Sequence, residues 1–222
     1  WLTPPPANLK GWRIAFSADL GYVDVAPDIA QRVEEAITYL EALGATVERI
    51  DPGFSDPLKT FNTLWFAGAT QALEKLNEQQ QAALDPGFLE IARRGQDVSL
   101  SAYLAARRER SELTAHMAAF HEQYDLLVTP TMPIAPFAAG HNVPPGGRYR
   151  DWMDWTPFSY PFNLTQQPAA SLPCGLDQQG LPVGLHLVAG KYQDLKVLHA
   201  AQLLERYLPP LTPPEYALPE QA

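Results

Sequence analysis

The sequence has little of several things that define particular classes of protein. It contains one cysteine, Cys174, so an internal disulfide is excluded and a reducing cytoplasm is the expected location. Positive charge is also scarce. The net charge of −9 argues against binding nucleic acid or an anionic membrane through a basic face. No apolar run reaches the roughly 18–20 residues that span a bilayer. The rest is ordinary globular composition, with 46% hydrophobic and 18% charged residues.

The chain also lacks an initial methionine and the features of a signal peptide. It opens on a proline-rich segment with neither a basic region nor a long apolar core. We therefore expect a linker or truncated start in residues 1–8. Residues 9–208 have the length of one large folded unit, and the proline-rich residues 209–222 are expected to be a loose tail.

The first part of the folded unit predicts a strand, a helix and a second strand. Residues 12–16 are a short apolar run, and residues 46–50 alternate between polar and apolar. The apolar residues between them recur at helical spacing: Ile29, Val33, Ile37 and Leu40. Because a helix connects the two strands, we expect them to pair in parallel.

The middle of the chain is predicted to be helical. Helices are expected over residues 58–84, 88–94 and 101–123, and Ser99 is placed to cap the third of them. Residues 137–158 show no regular period and are expected to be irregular.

The later part of the chain predicts three more strands and a last helix. Strands are expected at 126–128, 170–172 and 183–188, with a turn at 177–180 between the last two. Asp194 is expected to cap the final helix. The order of elements predicts the α/β class, with a mixed β-sheet flanked by helices.

Three segments carry the strongest motif signals. They read Tyr-Asp-Leu-Leu-Val-Thr-Pro-Thr-Met-Pro at 124–133, Tyr-Pro-Phe-Asn-Leu-Thr-Gln-Gln-Pro-Ala-Ala-Ser-Leu-Pro-Cys-Gly at 160–175, and Gly-Leu-Pro-Val-Gly-Leu-His-Leu-Val-Ala-Gly at 180–190. Together they resemble the C-terminal part of the amidase signature family, serine hydrolases that cleave carboxamides. The resemblance implies a partial amidase signature fold. This chain departs from the family at Gln166, where similar proteins often have glycine.

The resemblance implies a chemistry whose residues this sequence does not contain. The family uses a serine nucleophile and a second serine on a cis peptide bond, both in a Gly/Ser-rich run, together with a lysine further upstream. A serine hydroxyl needs such a base because it is a weak nucleophile. The serines of this chain stand apart from one another and outside glycine-rich loops: Ser17, Ser55, Ser99, Ser101, Ser111, Ser159 and Ser171. No catalytic residue is therefore predicted in this chain.

Four residues are predicted to bind substrate. Thr131 and Pro133 follow the end of a strand, and ligands of open α/β sheets bind outside the carboxyl ends of strands. A rigid proline turn that only routes the chain is the alternative. Trp155 and Phe158 have the composition of an apolar pocket wall, and core packing is their alternative.

Other chemistry-bearing residues are expected to be structural. Cys174 is predicted to be a small buried side chain and His186 a buried sheet histidine, because no third group is placed to orient a Cys/His pair. The remaining histidines lack ligand spacing, so neither a metal nor a cofactor is expected. Arg93 and Arg94, at a predicted helix end, are expected to be solvated.

The predicted function is that of the C-terminal portion of an amidase, which converts a carboxamide to a carboxylic acid and ammonia. This portion would supply sheet, packing and pocket wall, and would be inactive alone. The expected partners are the missing N-terminal catalytic half and, in the intact enzyme, a small-molecule amide; a homodimer is left open. Two alternatives remain: a non-catalytic binding module, and one component of a multi-chain amidotransferase.

Overall fold

The computed structural model describes residues 3–208, and the predicted proline-rich tail at 209–222 lies outside them. The strands are β1 (Arg13–Phe16), β2 (Thr46–Arg49), β3 (Leu126–Pro130), β4 (Ala169–Leu176) and β5 (Pro182–Val188). The helices are α1 (Pro27–Ala42), α2 (Leu58–Leu73), α3 (Glu78–Ala82), α4 (Pro86–Gln96), α5 (Leu100–Phe120), α6 (Tyr160–Thr165) and α7 (Asp194–Leu204).

The strands form one mixed sheet in the order β2-β1-β3-β5-β4. Strands β2, β1 and β3 run parallel, whereas β5 is antiparallel to β3 and β4 is antiparallel to β5. The predicted α/β class, a mixed sheet flanked by helices, is confirmed.

The unit β1-α1-β2 has the predicted parallel pairing, with Arg13 beside Thr46 in register. Pro27 lies in the first turn of α1, where its missing N–H costs no helical hydrogen bond. The helix ends before Gly44, whose φ of +94° suits glycine. Its predicted apolar stripe is buried against the sheet.

The helix predicted over residues 58–84 is wrong as one element, because the chain starts a new helix at Asn77. The Asn77 side chain accepts a hydrogen bond from Gln80 N at 2.9 Å, and the Gln80 side chain accepts one from Asn77 N at 3.0 Å. This reciprocal cap separates α2 from α3. The predicted cap at Ser99 is confirmed, since its hydroxyl accepts from Ala102 N at 3.1 Å.

The hairpin β4–β5 forms as predicted, and Asp177 stabilises its turn by accepting hydrogen bonds from Gln179 N and Leu181 N. Helix α6 was not predicted, because Pro161 suggested a loop, although proline is compatible with a first helical turn. The prediction that Asp194 caps α7 is wrong. The cap position is Gln193, and Asp194 is the first helical residue, where its charge favours the helix dipole.

Hydrophobic residues cover the two faces of the sheet differently. On one face, α1 and α7 bury residues such as Leu172 and Leu185 in the largest core cluster. On the other face, Phe158 and Phe162 pack over Leu127. This second layer ends before it reaches β4, and the uncovered area contains the site described below.

None of the helices within residues 3–208 is both long enough and apolar enough to cross a membrane.

Candidate functional site

An apolar cavity of about 520 Å³ opens beyond the carboxyl end of β3. Its apolar wall includes Ile29, Met132, Ile134, Phe137, Trp155 and Val183. Thr131 and Ser171 also line it, and none of the described residues that line the cavity carries a charged side chain. Such a concave site with few polar groups suits a ligand that is mostly apolar and uncharged.

The floor of the cavity is built where three strands meet. The hydroxyls of Thr131 and Ser171 lie 2.8 Å apart and hydrogen-bond each other. They close directly over Gly184 of β5, where a Cβ atom would come within 2.6 Å of Thr131 Oγ1 and 2.9 Å of Ser171 Oγ. Glycine at 184 therefore lets the two hydroxyls meet. Each hydroxyl keeps hydrogen-bonding capacity for a ligand beyond this shared bond.

Trp155 forms a side wall of the cavity from the irregular segment 137–158. Its ring meets Phe137 edge to face, with centroids 5.1 Å apart, and its Nε1 donates to the Asn142 carbonyl at 3.2 Å. Because both its polar atom and its ring are engaged within the same segment, the indole has a defined orientation.

Two ion pairs fix this segment to the rest of the fold. Arg94 of α4 makes a bidentate pair with Asp151, at 2.8 and 3.0 Å, and its guanidinium lies over the Phe66 ring. Arg148 pairs with Asp24 at 2.7 Å. The expectation that Arg94 is solvated is therefore wrong, because Asp151 is brought to it from a distant part of the chain.

A second, polar cavity of about 310 Å³ lies on the other side of the 131–133 loop. Pro133 lines it, together with charged and tyrosine side chains. The Tyr160 hydroxyl donates to Asp56 at 2.7 Å. Burial, and then this hydrogen bond, raises the pKa of Tyr160 well above its usual value. The hydroxyl therefore stays protonated at neutral pH.

The four predicted substrate-binding residues lie in three places. Thr131 and Trp155 line the apolar cavity, and Pro133 lines the polar cavity beside it. Phe158 lines neither of these cavities. It is 0% exposed and packs in the core cluster with Phe162. Its burial follows from its position just before α6, which turns the ring toward the sheet.

Cys174 and His186 are both buried, and they do not form a nucleophilic pair. Burial raises the pKa of the Cys174 thiol to about 11, so the thiolate is scarce at neutral pH. Burial lowers the pKa of His186 to about 4, which keeps the ring neutral. The two side chains point to opposite faces of the sheet, since Cys174 belongs to the core under α7 and His186 contacts Phe162.

Metal-ligating side chains do not cluster within residues 3–208: no group of three or more His, Cys, Asp or Glu residues there could hold an ion.

Sequence reasoning missed Ser171 and Gly184, although both belong to the quoted motifs. A glycine inside a strand signals a close approach of another group, and Gly184 is such a glycine. The partner of that approach, Thr131, precedes it by a long stretch of chain. Only the register that sets Ser171 beside His186, next to Gly184, shows that these groups meet.

A sequence model of the amidase family matches residues 3–198. Since the match covers nearly the whole described chain, this chain belongs to the amidase family. The sequence-based resemblance is thereby confirmed.

Individual relatives agree with this membership. The acylamidase of Rhodococcus erythropolis is 29% identical over 208 residues, which are 91% of this chain and 43% of that enzyme. The glutamyl-tRNA(Gln) amidotransferase of Thermosynechococcus vestitus has one component polypeptide that is 31% identical over 229 residues, covering 91% of this chain and 46% of that component.

A solved structure, that of 6-aminohexanoate cyclic dimer hydrolase, matches with a TM-score of 0.75 at 25% identity, covering 91% of this chain and 46% of the hydrolase. The chain therefore spans less than half the length of the relatives that it matches.

Proposed function

We propose that this chain forms one side of the substrate site of an amidase that hydrolyses a carboxamide to a carboxylic acid and ammonia. The supporting observation is the apolar cavity at the carboxyl end of β3, in a chain that belongs to the amidase family. The serine nucleophile and the lysine base would come from polypeptide outside this chain, so the chain alone is inactive.

The chemistry of the wall favours an uncharged acyl group. Burying a charge without a partner is costly, and the described lining residues offer none. Trp155 and Phe137 provide aromatic surface for an alkyl or aryl group, while the Thr131 and Ser171 hydroxyls offer hydrogen bonds to a neutral polar substituent. Pro133 links this site to the polar cavity, and Phe158 supports the wall from the core.

Hydrolysis is tested by joining this chain to the part of the Rhodococcus erythropolis acylamidase that it does not match. The joined protein should release ammonia from aryl and alkyl carboxamides, whereas the chain alone should release none above buffer. Ammonia release by the free chain would contradict the assignment of the nucleophile to another segment. A folded joined protein without activity on any amide would contradict the proposed function.

Replacing Trp155 with Ala in the joined protein should change substrate preference more than stability. Loss of the indole should alter the ratio of kcat/KM for bulky aromatic and small aliphatic amides by about tenfold or more. The matched control is Trp152→Ala, because Trp152 packs on Trp65 in the helical layer and does not line the cavity. That control should lower the melting temperature and leave the ratio unchanged. Equal loss on both amides with Trp155→Ala would give Trp155 a core role.

A second candidate is one component of a multi-chain amidotransferase, which the 31% identity to the Thermosynechococcus vestitus polypeptide favours. Glutamine as a substrate would require partners for its α-carboxylate and α-ammonium groups, and the described lining of the apolar cavity supplies none. Glutamine-dependent ammonia release that needs further partner chains would favour this candidate over a stand-alone amidase.

A further inference from the structure

The two edges of the sheet differ in length and charge. At one edge, β2 has four residues, and two of them form ion pairs: Glu48 with Arg13, and Arg49 with Glu34. At the other edge, β4 has eight residues, and none of them is charged. Short strands with charged side chains protect an edge from pairing, whereas a long neutral strand leaves it available.

The backbone of β4 has unused hydrogen-bonding groups on its outer side. Gly184 directs its carbonyl to Thr131 N, at 2.9 Å, and therefore away from β4. Because antiparallel pairs alternate, Ser171 and Ala169 direct their N–H and C=O groups away from β5. Among the described elements, β4 pairs only with β5. Pro168 and Pro173 flank these two residues and have no N–H to offer, which restricts the available segment to residues 169–172.

One face of β4 is also uncovered. Leu172 and Cys174 are buried under α7, whereas Ala169, Ser171 and Pro173 on the other face are exposed. Ser171 and Pro173 belong to the wall of the apolar cavity, so the open face and the substrate site are continuous.

Helix α7 adds exposed apolar surface beside this strand. It packs on β4 through its buried side, while Leu195 and Leu198 on its outer side are 38% and 41% exposed. Leu176, at the end of β4, is 40% exposed. An uncharged strand next to exposed leucines is typical of a surface that another protein segment covers.

We propose that the outer edge and open face of β4 dock a strand from the part of the amidase fold that this chain does not span. Its relatives have more than twice the matched length, so their fold contains further polypeptide that must lie against this one. A segment on β4 would adjoin Thr131 and Ser171 and close the cavity from the side on which the catalytic groups are needed. The inference rests on the proposed function, because it takes the occupant from an amidase.

The test uses the free chain and the joined protein described above. Hydrogen exchange should slow by roughly tenfold or more at the amides of Ala169 and Ser171 when the acylamidase segment is present. Ala169→Lys should abolish this protection, because a lysine on the open face obstructs docking. The matched control is Thr46→Lys, an exposed residue of the opposite edge strand β2, which should leave the protection intact.

The outcomes separate this inference from the proposed function. Protection without amide hydrolysis supports the β4 interface and contradicts the function. Hydrolysis with both amides exchanging as in the free chain overturns the interface, as does any joined protein, folded or not, in which they remain unprotected. Protection in the free chain that disappears on dilution would assign the surface to a second copy and overturn the proposal.

Discussion

The two faces of the sheet make opposite uses of the same strands. One face is continuously covered by α1 and α7, and its residues are fully buried along β1, β3 and β5. The other face is covered by α5, α6 and Phe158 only as far as the middle of β5. Beyond that point the strands line a cavity.

Strand β5 shows where the covering ends. Val188 lies in the second core cluster, His186 is buried beneath Phe162, and Gly184 lies on the cavity floor. Their neighbours on the opposite face, Leu185 and Leu187, are both 0% exposed. A single strand thus stabilises the fold with alternate residues while the others lead into the site. The closed face is expected to govern stability, and the open face ligand binding.

The largest effect is expected from truncating the closed face. Leu185→Ala should lower the free energy of unfolding by about 2–5 kcal/mol, because it leaves a cavity in the core. Ser171→Ala, on the open face, should change it by less than about 1 kcal/mol, since the side chain is exposed and loses one hydrogen bond. Urea denaturation of both variants measures the contrast. Equal destabilisation would show that the two faces contribute alike.

The next effect is a dependence of stability on pH at the boundary between the faces. Burial lowers the pKa of His186 from 6.5 to about 4 in the folded protein. The unfolded chain therefore binds a proton that the folded chain does not, so stability should fall as pH drops from 6.5 to 4, by about 3 kcal/mol.

The His186→Gln variant isolates this contribution. His121 is also buried with a lowered pKa and should keep part of the slope in both proteins, so the difference between the two slopes is the relevant quantity. Parallel stability curves from urea denaturation at pH 4 to 7 would show that His186 is solvated in the folded state.

The smallest of these effects is expected at the cavity floor. Gly184→Ala places a methyl group within 3 Å of Thr131 and Ser171, so their hydrogen bond must break or the strands must shift. We expect a loss of about 1–3 kcal/mol in stability, by overpacking, and weaker binding of amides in the joined protein. Gly180→Ala is a poor control because of its positive φ, whereas Gly68→Ala in α2 meets no atoms within 4 Å and should be neutral or stabilising. Unchanged KM and stability for Gly184→Ala would mean that the floor is more open than the structure shows.

Much of the fold could be predicted from local pattern. The unit β1-α1-β2, the cap at Ser99 and the β4–β5 hairpin each depend on residues close together in sequence. The predictions that failed depend on distant or competing contacts. Arg94 finds Asp151, and the helix after Leu73 yields to the cap at Asn77.

One departure from the family pattern has a local explanation in the structure. Gln166, where similar proteins often have glycine, ends α6 in the left-handed conformation, with a φ of +59°. Glycine adopts that conformation without steric cost. Here the Gln166 side chain accepts a hydrogen bond from Lys191 at 2.8 Å, which offsets part of the strain.

By itself, the sequence determined the α/β class, the order of the elements and membership in the amidase family, because periodicity and motif spacing are properties of contiguous residues. It also located Thr131 and Trp155 as candidates. Only the tertiary structure decided that these two share one cavity, that Phe158 lies inside the core, and that Gly184 allows two hydroxyls to meet. Those outcomes depend on strand register and on the packing of helices over part of one face, where segments distant in sequence compete for the same volume.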